Sequence, residues 1–364
     1  MPLLTRYLLT EYLKWLLLIL AALLTVFLTV DILEKMRRFS ESGASLVGIV
    51  QYFLFKLPGM TLELSPLALL LATLLTLGAL AKNNELIPIM NAGISTVRLH
   101  LPMLIIGGIV TIFFILLNNG LIPATKKKAR ILQQEAMQGG GRGETLFIQN
   151  KLWIRLNRTT LLYAQLVDAA KQTMYGVHLY FLGNALPVDQ EVYAAELRRE
   201  NGQWVLFNGA RITFQKDGTI HRAPFMRAPI QINKTLREIQ QIEMQPEEMS
   251  GGKLVSYIHQ LQKDGLNATR YQIGLQTKRA LPLANFILVL LGIPMAFQYL
   301  QKGGIGKGVM IGMVITLVYW LCLSVALSLG RLQVISPIMA GWGPHLLFAL
   351  TGIILFVRLH RAPV

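Results

Sequence analysis

The hydrophobic pattern divides the chain into two apolar blocks separated by a long polar stretch, from about Lys126 to about Arg279. That stretch is too long for a loop between helices and reads as a folded domain. Apolar runs of about 20 residues cross a bilayer as helices. Three precede the polar stretch: Trp15 to Leu33, Leu64 to Ala81 with an approach over Val47 to Leu57, and Leu99 to Leu117. Three follow it: Ala280 to Leu300, Val309 to Leu329, and Ile338 to Val357. The predicted plan is three spans, an inserted domain, and three more spans.

The flanks of these runs predict further elements. Leu3 to Lys14 mixes apolar and charged positions and reads as an interfacial helix leading into span one. Pro58–Gly59 and Pro66 interrupt span two, so a shared helical face for Lys56 and Glu63 is doubtful there. Between spans two and three, Lys82 to Ser95 (KNNELIPIMNAGIS) reads as a short helix along the membrane. Asn84 and Glu85 suit its start and Gly93 its stop. Such a helix is either a docking surface for a soluble partner or a plain connector. The QKGGIGKG segment, Gln301 to Gly308, is a turn: it lacks a Ser or Thr after the Lys and follows no strand, so it is not a phosphate-binding loop.

Inside the polar stretch a helical pattern, Lys126 to Gln138, ends at GGGRG. From Thr145 to Asn233 the period changes to short strands rich in Val, Ile, Leu and aromatics, with turn signals at Asn184, Asn201–Gly202 and Asp217–Gly218. Their spacing is that of a β-sandwich or jelly roll. Pro246 to Gln262 reads as helix with Ser250 as cap, and a basic helix, Thr269 to Arg279, leads into span four. The fold class is an α-helical polytopic membrane protein of six transmembrane helices, with an all-β, jelly-roll-like domain inserted between helices three and four. The expected divisions are 1–125, with a coupling helix at about 82–95, then 126–270 and 271–364.

Composition agrees with this picture: 53% of residues are hydrophobic and the mean hydropathy is +0.48, which a soluble protein of this size rarely shows. The net charge of +16 is spread along the chain. Lys126 to Arg279 holds 22 basic and 13 acidic residues, leaving 13 basic and 6 acidic for the remainder. A dispersed basic excess suits anionic lipid head groups. Nucleic-acid motifs are absent, and the apolar blocks argue against that partner. The single cysteine, Cys322, allows no intramolecular disulfide. Asp31, Glu34 and Lys35 stand where a signal peptide would carry a small-residue cleavage site. Six crossings put both termini on one side, and the balance of Lys and Arg in short loops favours that side as cytoplasmic, which exports the β domain.

No nucleotide-binding loop, metal cluster or nucleophile elbow is present, the histidines are scattered, and the carboxylates show no hydrolytic pairing. Work against a gradient must therefore draw on a partner or an ion gradient. The sharpest local feature is the basic end of span one. Lys35, Arg37 and Arg38 follow an apolar run at the membrane boundary. They form either a solvated helix end, with Asp31 and Glu34 pairing four residues on, or a face toward an anionic ligand.

Three strings carry a family resemblance: LSPLALLLATLLTLGALAKNNELIPIMNAGIS (Leu64 to Ser95), GLNATRYQIGLQTKRALPLANFILVLLGIPMAF (Gly265 to Phe297) and GRLQVISPIMAGWGPHLLF (Gly330 to Phe348). They resemble the LptF/LptG permeases of lipopolysaccharide export in Gram-negative bacteria, and the LptG-type branch is the better match. The resemblance implies an inner-membrane permease in a heterodimer with a second such permease. It implies a cytoplasmic ATPase dimer that alone binds ATP and Mg²⁺, so this chain needs no cofactor. It also implies periplasmic jelly-roll bridge proteins that receive the lipopolysaccharide. In that family a basic residue near the periplasmic end of span one meets the substrate's phosphates; the matching region here offers Lys35, Arg37 and Arg38, with Asp31 near where some relatives carry a key Lys. The family's ATPase-docking helix maps onto Asn84, Glu85 and Leu86. The β interior, with Leu152, Ile154, Tyr163, Leu179 and Phe181, is the candidate acyl-chain conduit, weighed against an ordinary sandwich core. Each buried CH₂ is worth about 0.8 kcal/mol, so a greasy path offsets the extraction cost stepwise. Two other classes fit the residues less well: an integral-membrane enzyme acting on a lipid-linked substrate, for which Glu63 is the isolated carboxylate, and a mechanotransmitting protein that moves no substrate.

Overall fold

The computed structural model describes residues 2–41, 45–85, 88–89, 96–137, 152–156, 159–168, 173–182, 188–200, 203–214, 219–230, 232, 245–263 and 267–361. The chain divides into two compact units: one of residues 1–139, 246–256 and 269–364, the other of 140–245 and 257–268. Among the described residues six helical segments are long and apolar enough to cross a membrane, and a β-sheet is inserted between the third and the fourth.

The first half of the helical unit comprises α1 (Pro2–Glu41), α2 (Leu46–Lys82), α3 (Thr96–Asn119) and α4 (Leu121–Met137). α1 is unbroken, so the expected interfacial helix and span one are a single element. α2 also runs through Pro58 and Pro66, which corrects the expected break. A proline deprives the carbonyl four residues earlier of its donor, and in a membrane that carbonyl must find another. Pro66 frees the Leu62 carbonyl, and Ser65 Oγ lies 3.1 Å from it. The same device recurs in the second half. Pro282 frees the Lys278 carbonyl, which accepts a 2.8 Å bond from Asn118 Nδ2 at the end of α3. Polar side chains thus repair the proline sites and tie neighbouring spans together.

The second half comprises α5 (Gly251–Lys263), α6 (Thr269–Ala280), α7 (Ala284–Arg331) and α8 (Pro337–Arg361), with short 3₁₀ turns at Pro246–Glu248 and Leu281–Leu283. α7 holds most of span four and all of span five in one helical element. Its chain direction nevertheless reverses. A Cβ on Gly292 would lie 2.7 Å from Leu70 Cδ1, and one on Gly312 would lie 2.5 Å from Leu74 Cδ1 and 3.7 Å from Leu70 Cδ2. A straight helix would separate positions 292 and 312 by about 30 Å, so both can reach the same stretch of α2 only if the chain folds back between them. Contacts to α8 agree: Gly341 meets Gln276 and Gly352 meets Leu290, a parallel pairing, whereas Gly330 meets Ala340 and Tyr319 meets Phe348, an antiparallel one. The turn expected at Gln301 to Gly308 falls within this fold-back between positions 292 and 312.

Spans two and four are mostly buried and spans one, five and six mostly exposed. The core runs along Leu69, Leu70, Leu74 and Leu77 of α2, with Tyr12 of α1, Met103 of α3 and Leu288 of α7. Tyr12 Oη donates to the Leu69 carbonyl at 3.2 Å, and Tyr319 Oη lies 3.0 Å from His345 Nε2. His345 is therefore buried inside the bundle.

Among the described residues the inserted sheet has six antiparallel strands in chain order: β1 Leu152–Arg155, β2 Thr160–Asp168, β3 Thr173–Phe181, β4 Gln190–Glu200, β5 Gln203–Phe214 and β6 Ile220–Ile230. The register is continuous, yet the inward face changes phase along a line across the strands. Met174 and Val177 are both buried although three apart, as are Ala194 and Leu197. Gly176 and Asn208 on that line have φ of 59° and 52°, a left-handed conformation in which a strand kinks. One buried face therefore carries Leu162, Ala164, Val177, Leu179, Val192, Ala194 and Trp204.

Candidate functional site

Chemistry-bearing side chains gather at both ends of the helix bundle. At the end where α4 leads into the insertion, Asp31 of α1 binds two ammonium groups: Lys35 Nζ at 2.9 Å and Lys56 Nζ of α2 at 2.6 Å. Lys35 also donates to Tyr52 Oη at 2.5 Å and stands over the Tyr52 ring. Phe39, Tyr52 and Phe53 pack edge to face beneath it. The helices dictate this meeting. Asp31 and Lys35 are one turn apart on α1, Tyr52 and Lys56 one turn apart on α2, and the two antiparallel helices bring the four together. One carboxylate between two cations leaves a net charge of +1, only partly exposed, with side-chain exposures of 12% for Asp31, 17% for Lys35 and 31% for Lys56. Further along, Lys126 of α4 binds Glu63 at 3.1 Å, and Arg130 binds Glu248 at 2.9 Å.

This arrangement changes the expected roles. Lys35 belongs to a cross-helix cluster and is not a solvated helix end. Arg37 points outward and is exposed, and the side chain of Arg38 lies outside the described residues. Lys56 and Glu63 do not pair with one another; each has its own partner on a different helix. Sequence reasoning left Lys56 open and missed Tyr52. The available signal was a Tyr and a Lys one turn apart in an otherwise apolar helix.

At the opposite end, Asn84 has a φ of 57° and closes α2: its amide donates to the Ala81 carbonyl at 3.2 Å and the Glu85 amide to the Leu80 carbonyl at 2.9 Å. Asn84 thus ends α2 instead of opening the next helix, a left-handed stop that Asn tolerates. Glu85 accepts 3.0 Å from Tyr7 Oη and 3.4 Å from Asn83 Nδ2, and its carbonyl accepts from Ile89 N at 3.3 Å. Pro88 and Ile89 are helical, while Leu86 and most of the segment to Ser95 lie outside the described residues.

In the sheet, Leu179 is fully buried and Phe181 packs partly buried against the same core. Leu152 and Ile154 pair in register with Ala164 and Leu162, but their side chains lie outside the described residues. Tyr163 is on the other face, where it meets His178, whose ring also packs against Tyr193 and Tyr180 and whose Nδ1 lies 2.8 Å from Glu191. Burial, with the Glu191 carboxylate beside it, pushes the Tyr180 phenol above its ordinary pKa. The five conduit candidates are therefore not one surface: Leu179 and Phe181 share a face and Tyr163 does not. Among the described residues no group of three or more His, Cys, Asp or Glu could hold a metal ion.

The comparisons bear on a chain of this architecture. The family described as lipopolysaccharide export system permease LptF/LptG matches residues 6–358. The permease protein LptG of lipopolysaccharide export in Escherichia coli K12 is 22% identical over 344 residues, which is 92% of this chain and 94% of that protein. LptG of Haemophilus influenzae is 22% identical over 338 residues, 91% of this chain and 92% of its own. A match over the whole span from the start of α1 to the end of α8, with six spans and one inserted sheet, makes this chain a member of the LptF/LptG family of lipopolysaccharide export permeases.

Proposed function

We propose that this permease is LptG-type and works as half of a heterodimer with a second LptF/LptG-type permease. A cytoplasmic ATPase dimer holds the ATP and Mg²⁺. Lipopolysaccharide is taken from the outer leaflet of the inner membrane and passed to periplasmic jelly-roll bridge proteins. Both termini are cytoplasmic and the sheet is periplasmic. The observation that carries this reading is the permease-family match over residues 6–358. The polar cluster adds to it. Lys35 and Lys56 stand at the insertion end with a surplus positive charge, where a substrate phosphate can take the place of part of the Asp31 contact. The exposed apolar positions Val26, Phe27 and Val30 of α1 offer adjoining surface to acyl chains, while the buried Tyr52 ring holds Lys35 in place. Glu85, close to the end of α1 that carries Tyr7, is the docking carboxylate for the ATPase.

Purification tests the assignment. The chain drawn from its native membrane should bring down a second permease, an ATPase and, by mass spectrometry of bound lipid, lipopolysaccharide. Glu85→Lys should lose the ATPase and keep the second permease. Tyr7→Phe removes the same hydrogen bond but leaves the carboxylate, and should keep both. ATPase loss in Tyr7→Phe to the same degree would assign Glu85 an internal role. A chain that purifies alone and turns over a lipid-linked substrate would replace the transport reading with the enzyme reading.

A further inference from the structure

A second cationic feature lies apart from the Asp31 cluster and does not rest on the transport reading. The last turn of α3, the first turn of α5 and the last turn of α6 enclose a cleft of about 450 Å³. That volume suits a small-molecule or head-group site. Two cations line it, Lys278 and Arg279, and no carboxylate does among the described residues. Lys278 Nζ gives one proton to the Met249 carbonyl at 2.6 Å, which leaves two for a ligand. Arg279 is exposed and keeps its planar fork of donors at the rim. Glu247 and Lys126 stand within electrostatic reach of Lys278, and Lys126 is engaged with Glu63. Counting Lys278, Arg279 and Lys126 against Glu247 and Glu63, three minus two, the surroundings are net +1.

The cleft is also open where a side chain would ordinarily fill it. Gly252 lines it, and a Cβ there would meet no atom within 4 Å. Its remaining walls mix the amides of Asn118 and Asn119 with apolar Ile115 of α3, Val255 of α5 and Leu275 of α6. Ile115 continues into an outward apolar strip on α3, where Ile112 is 61% exposed, Phe113 54% and Leu116 69%. A free inorganic anion would use the cations and leave this strip without a partner. A lipid uses both, with its phosphate at the cations and its acyl chains along α3.

We infer that the cleft binds the phosphodiester of an anionic glycerophospholipid. An anionic head group is favoured over a zwitterionic one because the lining offers two cations and no carboxylate for a choline or ethanolamine ammonium.

The test uses the full chain in its native complex, exchanged into detergent with phosphatidylglycerol or phosphatidylcholine. Native mass spectrometry reads the retained lipid. Wild type should retain phosphatidylglycerol in preference to phosphatidylcholine. Arg279→Gln should reduce phosphatidylglycerol retention by about tenfold, the loss of one charge-assisted contact. Gly252→Leu should block it by filling the cleft, and Gly252→Ala, whose methyl fits without contact, should retain it. Size-exclusion profiles confirm that each variant is folded. Equal retention of the two lipids, retention unchanged in both Arg279→Gln and Gly252→Leu, or full displacement of phosphatidylglycerol by millimolar inorganic phosphate would overturn the inference. So would variants that lose lipopolysaccharide while keeping phosphatidylglycerol.

Discussion

Asp31→Asn is expected to destabilise the helical unit by about 2 kcal/mol, between the 0–1 kcal/mol of an exposed ion pair and the 3–5 kcal/mol of a broken buried one. Asn keeps the shape of Asp31 and removes its charge. Lys35 and Lys56 then face each other across a partly buried site with no carboxylate between them. Their repulsion, added to the lost charge-assisted bonds, outweighs what an ordinary surface substitution does. Removing one cation relieves the repulsion. Lys35→Met in the Asp31→Asn background should therefore regain about half the loss, although Lys35→Met alone is itself destabilising. Thermal unfolding of the four members of this double-mutant cycle in detergent reads the coupling directly. Additive effects would mean that Asp31 and Lys35 are not coupled and that no such cluster exists.

The second large effect belongs to the sheet. Trp204 of β5 is 2% exposed and is the largest fully buried side chain among the described residues. Trp204→Ala should cost about 3–5 kcal/mol through lost burial and the cavity left behind. The sheet and the bundle are separate compact units, so the loss should fall on the sheet. Limited proteolysis should cut within 140–245 at protease levels that leave wild type intact, while the helical spans stay protected. Cleavage spread evenly over both units would show that the sheet does not fold as its own cooperative unit.

The spans were legible because each carries enough apolar residues to exclude every other reading. The interruptions were not, because a helix in a membrane is rescued from outside itself. Pro66 and Pro282 look like breaks in one dimension, whereas in three dimensions Ser65 and Asn118 reach the carbonyls they free. Asn118 in particular reads as a helix end and acts as a tie between spans. β6 was visible only at its end, from Ala228 onward. The strand carries Pro224 and Pro229; among the described residues β6 is the last strand of the order, and an edge tolerates prolines that a central strand cannot.

The candidate site was half legible. The pair of Asp31 and Lys35 follows from four-residue spacing, but its link to Lys56 and Tyr52 depends on how α1 packs against α2, which no local pattern encodes. Tyr163 was grouped with Leu179 by simple alternation. The register instead places it beside His178, on the face away from the core.

We further propose that lipopolysaccharide moves from the bilayer into the sheet domain of this chain under the control of ATP. The most direct test places a photo-crosslinking residue at Leu179 or at Phe181, in the complex reconstituted with its ATPase and second permease in vesicles containing lipopolysaccharide. The account predicts adducts that accumulate with ATP and Mg²⁺ and stay at background with a non-hydrolysable analogue. Absence of adducts at both positions in an ATP-hydrolysing complex, or equal yields without ATP, would contradict it.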